Sequence, residues 1–177
     1  MTDRILAQSH DDHSAEVSLE RLFVRYNPMV VRTAYLLLSD WMEAEDIAQD
    51  VWIHVGAQHA RYDPQRGAWT TWLHQITVNR CLNRRRRLAR WISGALSPDI
   101  PASQPPPLHT LIEHEEQRRI WRAVETLSPK LRAVVVLRYF HNLSYEQTAT
   151  VLECPIGTVR SRLHAATAQL RAHFGTL

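Results

Sequence analysis

Residues 142–174 read NLSYEQTATVLECPIGTVRSRLHAATAQLRAHF, and the build of the chain turns on them. Ser144 and Gln147 have the S-x-x-Q spacing of a capping box, in which the two residues satisfy each other's donors at a helix start. Pro155 suits the opening of a second helix, where its missing N–H costs nothing. Only a short turn near Glu153 and Cys154 separates the pair, which is the outline of a helix-turn-helix. On the second helix Ile156, Val159, Leu163, Ala166 and Leu170 alternate steps of three and four, committing one face to a core. Roughly opposite stand Gly157, Ser161, Ala165 and Ala168, flanked by Arg160, Arg162 and His164. Small residues let a helix backbone approach a groove, and arginines beside them reach phosphates and guanine edges. A plain solvated amphipathic helix could look similar, but the capped helix and tight turn before it favour a nucleic-acid reader.

Working towards the N-terminus, Ser128 is a helix cap with Pro129 at the first position. That helix continues through Leu131, Val134, Val135, Leu137 and Arg138, and Leu111–Thr126 reads as the helix before it. Five of the nine prolines fall within residues 97–107, SPDIPASQPPP, so 93–110 is expected to be a flexible linker. The expectation is an all-α protein with a polar tail at 1–18 and two small helical domains, 19–92 and 111–177. In the first domain Leu19, Leu22, Phe23, Tyr26, Val30, Ala34 and Leu37 keep helical spacing, with Pro28 set to kink or split that helix. Ala44, Ile47, Ala48, Val51, Trp52 and Val55 form a complete core stripe. The other face of the same helix holds Glu45, Asp46, Gln49 and Asp50, with Ile53 beside them. A third helix should run from about Ala68 to Trp91, after the turn-like YDPQRG.

The net charge of +3 conceals a segregated pattern. Residues 1–60 carry four basic and ten acidic side chains, whereas residues 61–92 carry eight and one. Residues 93–117 hold four acids and no base, and residues 118–177 return to nine bases against three acids. Two basic blocks suggest two contacts with a polyanion, and the acidic part suggests a different partner. Of the 21 basic residues only Lys130 is lysine, and arginine is the better bidentate donor to phosphates and base edges. The first block is Thr71–Arg87, TWLHQITVNRCLNRRRR, in which Trp69, Trp72, Leu73 and Ile76 just before or within it share a core stripe. Asn79 and Asn83 lie one turn apart with Arg80 and Arg84 beside them. Asparagine can pair its amide with base edges, but Arg84–Arg87 go round most of a turn, so all four cannot touch one strand.

No apolar run approaches eighteen residues, and the N-terminus is polar and acidic, without the pattern of a signal peptide. Membrane insertion is therefore not expected. Cys81 and Cys154 form no CxxC pair and read as reduced thiols of a cytoplasmic protein. The ten histidines lack ligand spacing, so no metal, cofactor or small-molecule substrate is expected. Asp46 and Asp50 face outward with no third carboxylate in view, which argues against a metal nuclease and against any catalytic residue.

The motifs LFVRYNPMVVRTA, EAEDIAQDVWIHV, RGAWTTWLHQITVNRCLNRRRR, LSPKLRAVVVLRYFHNLSYEQTATVLE and CPIGTVRSRL, in that order, resemble an extracytoplasmic-function sigma factor. This is the smallest type of bacterial promoter-recognition subunit of RNA polymerase, and the resemblance covers 19–92 and 111–174. It implies promoter-directed initiation with core RNA polymerase and promoter DNA as partners, and control by an anti-sigma factor that can hold the chain at the membrane. It implies that Asp46, Gln49 and Asp50 meet the polymerase large subunit, with Ile53 an apolar contact beside them. It implies that the loop from Arg61 and the helix carrying Asn79, Arg80, Asn83, Arg84 and Arg87 read and open the minus-ten element. Thr158, Arg160, Ser161, Arg162 and His164 would face the minus-thirty-five element. There is one departure: where relatives often continue RSRL with further arginines, this chain has HAATAQL, and each lost phosphate contact weakens binding. The acidic linker would enter the polymerase channel, against the plainer reading of a tether. The rival to this family is a stand-alone helix-turn-helix regulator, which leaves the acidic helix and the N-R-x-x-N arginine run without a role.

Overall fold

A computed structural model describes residues 19–58, 68–92 and 115–175, so the tail 1–18, Arg61 and its loop, and the linker 93–110 lie outside the described residues. Every regular element among the described residues is helical. The first domain is α1 (Leu19–Leu38), α2 (Trp41–Gln58) and α3 (Trp69–Ile92). The second is α4 (Glu115–Glu125), α5 (Pro129–Val135) running into a π-helical turn (Val136–Phe140), α6 (Tyr145–Val151) and α7 (Ile156–Gly175).

The α2 stripe is buried as its spacing demands: Ala44, Ile47, Ala48, Val51, Trp52 and Val55 all face inward. They meet Leu22, Val30, Ala34 and Leu37 of α1, and Leu73, Val78 and Cys81 of α3. Burial pushes the Cys81 thiol up to about 12, so it behaves as a small core hydrophobe. The helix α1 runs through Pro28 without being divided. The carbonyl that Pro28 cannot serve belongs to Val24, a residue 75% exposed, where water can supply the missing donor. Phe23 is also partly exposed and packs edge-on to Trp52, with ring centroids 5.2 Å apart. Ser39 takes φ 60° to reverse the chain after α1, and the Asp40 carboxylate accepts from the Glu43 N–H at 3.0 Å to cap α2.

In the second domain Ser128 stands at the start of α5 with Pro129 next, although its hydroxyl makes no capping bond. The capping box is complete: Gln147 N–H donates to Ser144 Oγ at 3.1 Å and Ser144 N–H donates to Gln147 Oε1 at 2.8 Å. The helix α7 opens at Ile156, directly after Pro155.

The two domains pack on each other through α3, α1 and the second domain's α5–α6 segment. The π-helical turn ends with the His141 N–H donating to the Val136 carbonyl at 3.2 Å, and this delivers His141 to α1. Thr33 spends its hydroxyl proton on the Met29 carbonyl at 2.7 Å. The same oxygen can therefore only accept, from His141 Nε2 at 2.9 Å and more loosely from His74 Nδ1 at 3.5 Å. The two imidazoles lie 4.3 Å apart between the domains. Burial lowers His74 to about 4. Burial, then the charges of His74 and Arg32, lowers His141 to about 3.

Both histidines are thus neutral in the folded protein at pH values where an unfolded histidine, near 6.5, already takes up protons. Their contribution is complete above the unfolded value and is lost as pH falls towards the folded values. The melting temperature should be flat above about pH 7 and fall between about pH 6.5 and pH 5, above most carboxylate titration. The double variant His74→Asn/His141→Gln, which keeps the hydrogen-bonding nitrogens and removes the titration, should flatten that slope in thermal melts followed by circular dichroism. An unchanged slope would assign the acid sensitivity to other groups.

Candidate nucleic-acid and partner interfaces

The outward face of α2 carries Asp46, Gln49, Asp50 and Ile53, all exposed, with Ile53 at 73%. The core stripe on the other side of the helix fixes this orientation. The face is not isolated, because α3 lays its arginines along its edge. Arg84 Nε lies 2.8 Å from Glu43 Oε2 and its Nη2 lies 3.5 Å from Asp46 Oδ2, while Arg80 Nη1 lies 3.9 Å from Asp50 Oδ2. These pairs lie at a partly exposed surface, with Glu43 Oε2 itself buried, and surface pairs of this kind are worth about 0–1 kcal/mol each. Two surfaces that the sequence separates, one acidic and one basic, form a single seam.

The four consecutive arginines diverge as the helix geometry requires. Arg84 turns to α2. Arg85 turns inward and donates to the Leu37 carbonyl at 2.8 Å, with burial lowering the pKa of its guanidinium. Arg86 donates to Asn83 Oδ1 at 3.3 Å, and Arg87 is exposed. Leu73 is fully buried, whereas Trp69, Trp72 and Ile76 are half-buried, the two indoles 4.9 Å apart. Asn79 reaches across the domain boundary: its amide donates to Glu153 Oε1 at 3.4 Å, beside Gln75, which donates to the same oxygen at 2.8 Å.

On α7 the inward face is Val159, Leu163 and Ala166, with Leu170 half-buried and Ile156 already 37% exposed at the helix start. Gly157, Ser161 and Ala168 are exposed. A Cβ added at Gly157 would meet nothing within 4 Å, so the packing of this chain does not require the small residue there. Arg160 is exposed and holds its guanidinium 5.6 Å from the centre of the Tyr145 ring, over which Arg138 also sits at 4.5 Å. His164 is exposed and Thr158 half-buried. Arg162 leans back along the helix start, its Nη1 3.8 Å from Cys154 Sγ. No group of three or more His, Cys, Asp or Glu able to hold a metal stands together among the described residues. No described helix is long and apolar enough to cross a membrane.

Three residues of these surfaces were not singled out from sequence. Glu43 lies in the same acidic run as Asp46, one turn earlier, and that spacing is a usable signal. Tyr145 follows the capping serine and gives no hint that it will carry two guanidinium groups. Glu153 adopts φ 49°, uncommon for a residue with a side chain, and nothing local ties it to α3.

Residues 22–91 match the Sigma-70 region 2 family and residues 117–170 match Sigma-70, region 4. The chain is 36% identical over 163 residues to the ECF RNA polymerase sigma factor SigE of Mycolicibacterium smegmatis, covering 90% of this chain and 63% of that relative's length. It is 31% identical over 166 residues to the RNA polymerase sigma-H factor of Pseudomonas aeruginosa, covering 84% of this chain and 82% of the relative. It is 30% identical over 166 residues to the ECF RNA polymerase sigma factor RpoE of Cereibacter sphaeroides, covering 92% and 89%. The fold superposes on the sigma factor RpoE solved with the anti-sigma factor NepR from Bartonella quintana, with TM-score 0.71, 23% identity, and 88% and 96% of the two chains covered. Two successive sigma regions on one helical chain, and relatives matched across both, place this protein in the extracytoplasmic-function family of RNA polymerase sigma factors.

Proposed function

We propose that this chain binds core RNA polymerase through α2 and directs promoter-specific initiation, with its two domains reading separate promoter elements. The observation that carries the reading is the exposed Asp46, Gln49, Asp50 and Ile53 face opposite a fully committed core stripe. Ile53 adds an exposed apolar side chain beside these carboxylates. The same division on α7 supports Arg160, Ser161, Arg162 and His164, with Thr158, as the minus-thirty-five surface. Asn79, Arg80, Asn83, Arg84 and Arg87, together with Arg61, are assigned to the minus-ten element, where asparagine amides receive unpaired bases and arginines hold phosphates. Arg85 is left out of that set because its guanidinium serves Leu37. The chain acts as an initiation factor in the cytoplasm and catalyses no reaction of its own. An anti-sigma factor controls it, in keeping with the RpoE–NepR complex to which the fold is similar. A stand-alone helix-turn-helix regulator is not favoured, since residues 22–91 would then have no role.

Reversing the α2 charges tests the polymerase surface. Asp46→Lys/Asp50→Lys should abolish binding to core polymerase in a pull-down while changing stability by under about 1 kcal/mol, because only exposed pairs are lost. A folded double mutant that still binds would move the polymerase contact off α2.

Truncating Arg160 tests the reading helix. Arg160→Ala should cost roughly 1–3 kcal/mol on promoters that depend on the upstream element and leave polymerase binding intact. In a randomised-promoter selection, a base-reading arginine relaxes one position, whereas a phosphate clamp lowers yield uniformly. No change in yield would place the reading surface elsewhere on α7.

A further inference from the structure

Tyr145 stands between Ser144 and Gln147, so the capping box fixes its backbone, and its half-buried ring packs against the core. The Arg138 guanidinium lies 4.5 Å from the centre of that ring and also donates to the Leu143 carbonyl. Arg160, one helix later, holds its guanidinium 5.6 Å from the same centre. Two cations over one ring repel each other, and the neighbouring Glu146 carboxylate offsets part of that charge. The pKa of Glu146 is lowered, first by hydrogen bonds from its own N–H and from Ser144, then by the charges of Arg160 and Arg138.

The two guanidinium groups differ in what else holds them. Arg138 is half-buried and tied to Leu143. Arg160 is exposed, and among the described residues its side chain makes no hydrogen bond or ion pair. A long arginine at an exposed helix position samples many rotamers, and these are given up when it grips a base edge or a phosphate. A ring that already holds the guanidinium removes part of that cost before DNA arrives. We propose that Tyr145 is a positioning residue: its ring, fixed by the capping box and by Arg138, sets the direction in which Arg160 leaves α7 to meet the minus-thirty-five element. Tyr145 acts through Arg160 in this role, which therefore rests on the assignment of α7 made above.

Tyr145→Phe keeps the ring, whereas Tyr145→Leu and Tyr145→Gln remove it, and thermal melts followed by circular dichroism show which chains are folded. Each folded variant is combined with core polymerase, and the affinity of the holoenzyme is measured for a promoter with an intact upstream element. Tyr145→Phe should bind as the native chain does. The ring-free variants should bind about two- to fivefold more weakly, the worth of an exposed cation–π contact. In the Arg160→Ala background the same substitutions should cost nothing further. In a randomised-promoter selection, Tyr145→Leu should shift preference in the same way as Arg160→Ala, but less. A ring-free loss that persists in full without Arg160 would overturn the proposal, because the ring would then act independently of that arginine. So would a Tyr145→Phe loss equal to that of Tyr145→Leu, which would point to the hydroxyl. Full affinity in the ring-free variants, with Arg160→Ala still weakened, would overturn the positioning role and leave the assignment of α7 standing. No loss from Arg160→Ala itself would overturn that assignment, and the proposal with it.

Discussion

The carbonyl oxygen of Leu37 is where the two halves of this chain meet. It belongs to the last turn of α1, where carbonyls have no intrahelical donor and the helix presents its negative end. That turn contains no basic residue of its own. Arg85 from α3 and Arg132 from α5 supply the donors, at 2.8 and 3.3 Å. One oxygen therefore fixes α3 against α1 within the first domain and α5 against α1 between domains. Arg132 also donates to the Glu125 carbonyl and to Ser39, so a guanidinium removed from water finds neutral acceptors in place of a carboxylate. Burial and the nearby Arg85 lower it to about 10, and it remains charged at neutral pH.

The electrostatics of the first domain follow a different rule. On the α2–α3 seam the charges are partly exposed and paired near the surface, where each pair contributes little and salt weakens it further. Such pairs keep the acidic and basic faces soluble and oriented without committing them. The same residues can exchange one another for other charged groups at small cost. Arg85 and Arg132 have less freedom, because their guanidinium groups serve the Leu37 carbonyl within the protein in place of charges at its surface.

Between these extremes lies the boundary between the domains. It sets a threonine hydroxyl, two neutral imidazoles and a guanidinium beside an apolar core that is continuous from one domain to the other. The polar groups at this boundary depend on each donor finding its acceptor.

The helical elements, the α2 core stripe, the capping box and the division of α7 into inner and outer faces were legible in the sequence. Each depends on neighbours within a turn or two, and the helical period alone decides them. Asp46, Gln49, Asp50 and Ile53 were placed outward for the same reason. The fates of Arg84 to Arg87 were not legible, because four adjacent arginines are alike in sequence. Only the position of Leu37, 48 residues away, makes Arg85 structural while Arg84 stays on the surface. His74 lies on a helix that reads as aromatic core and says nothing of His141, and Asn79 says nothing of Glu153. Spacing along one helix determines which way a side chain leaves it; what it meets is decided by the packing of helices distant in sequence, and here that packing sets a carboxylate of one domain on the amides of the other.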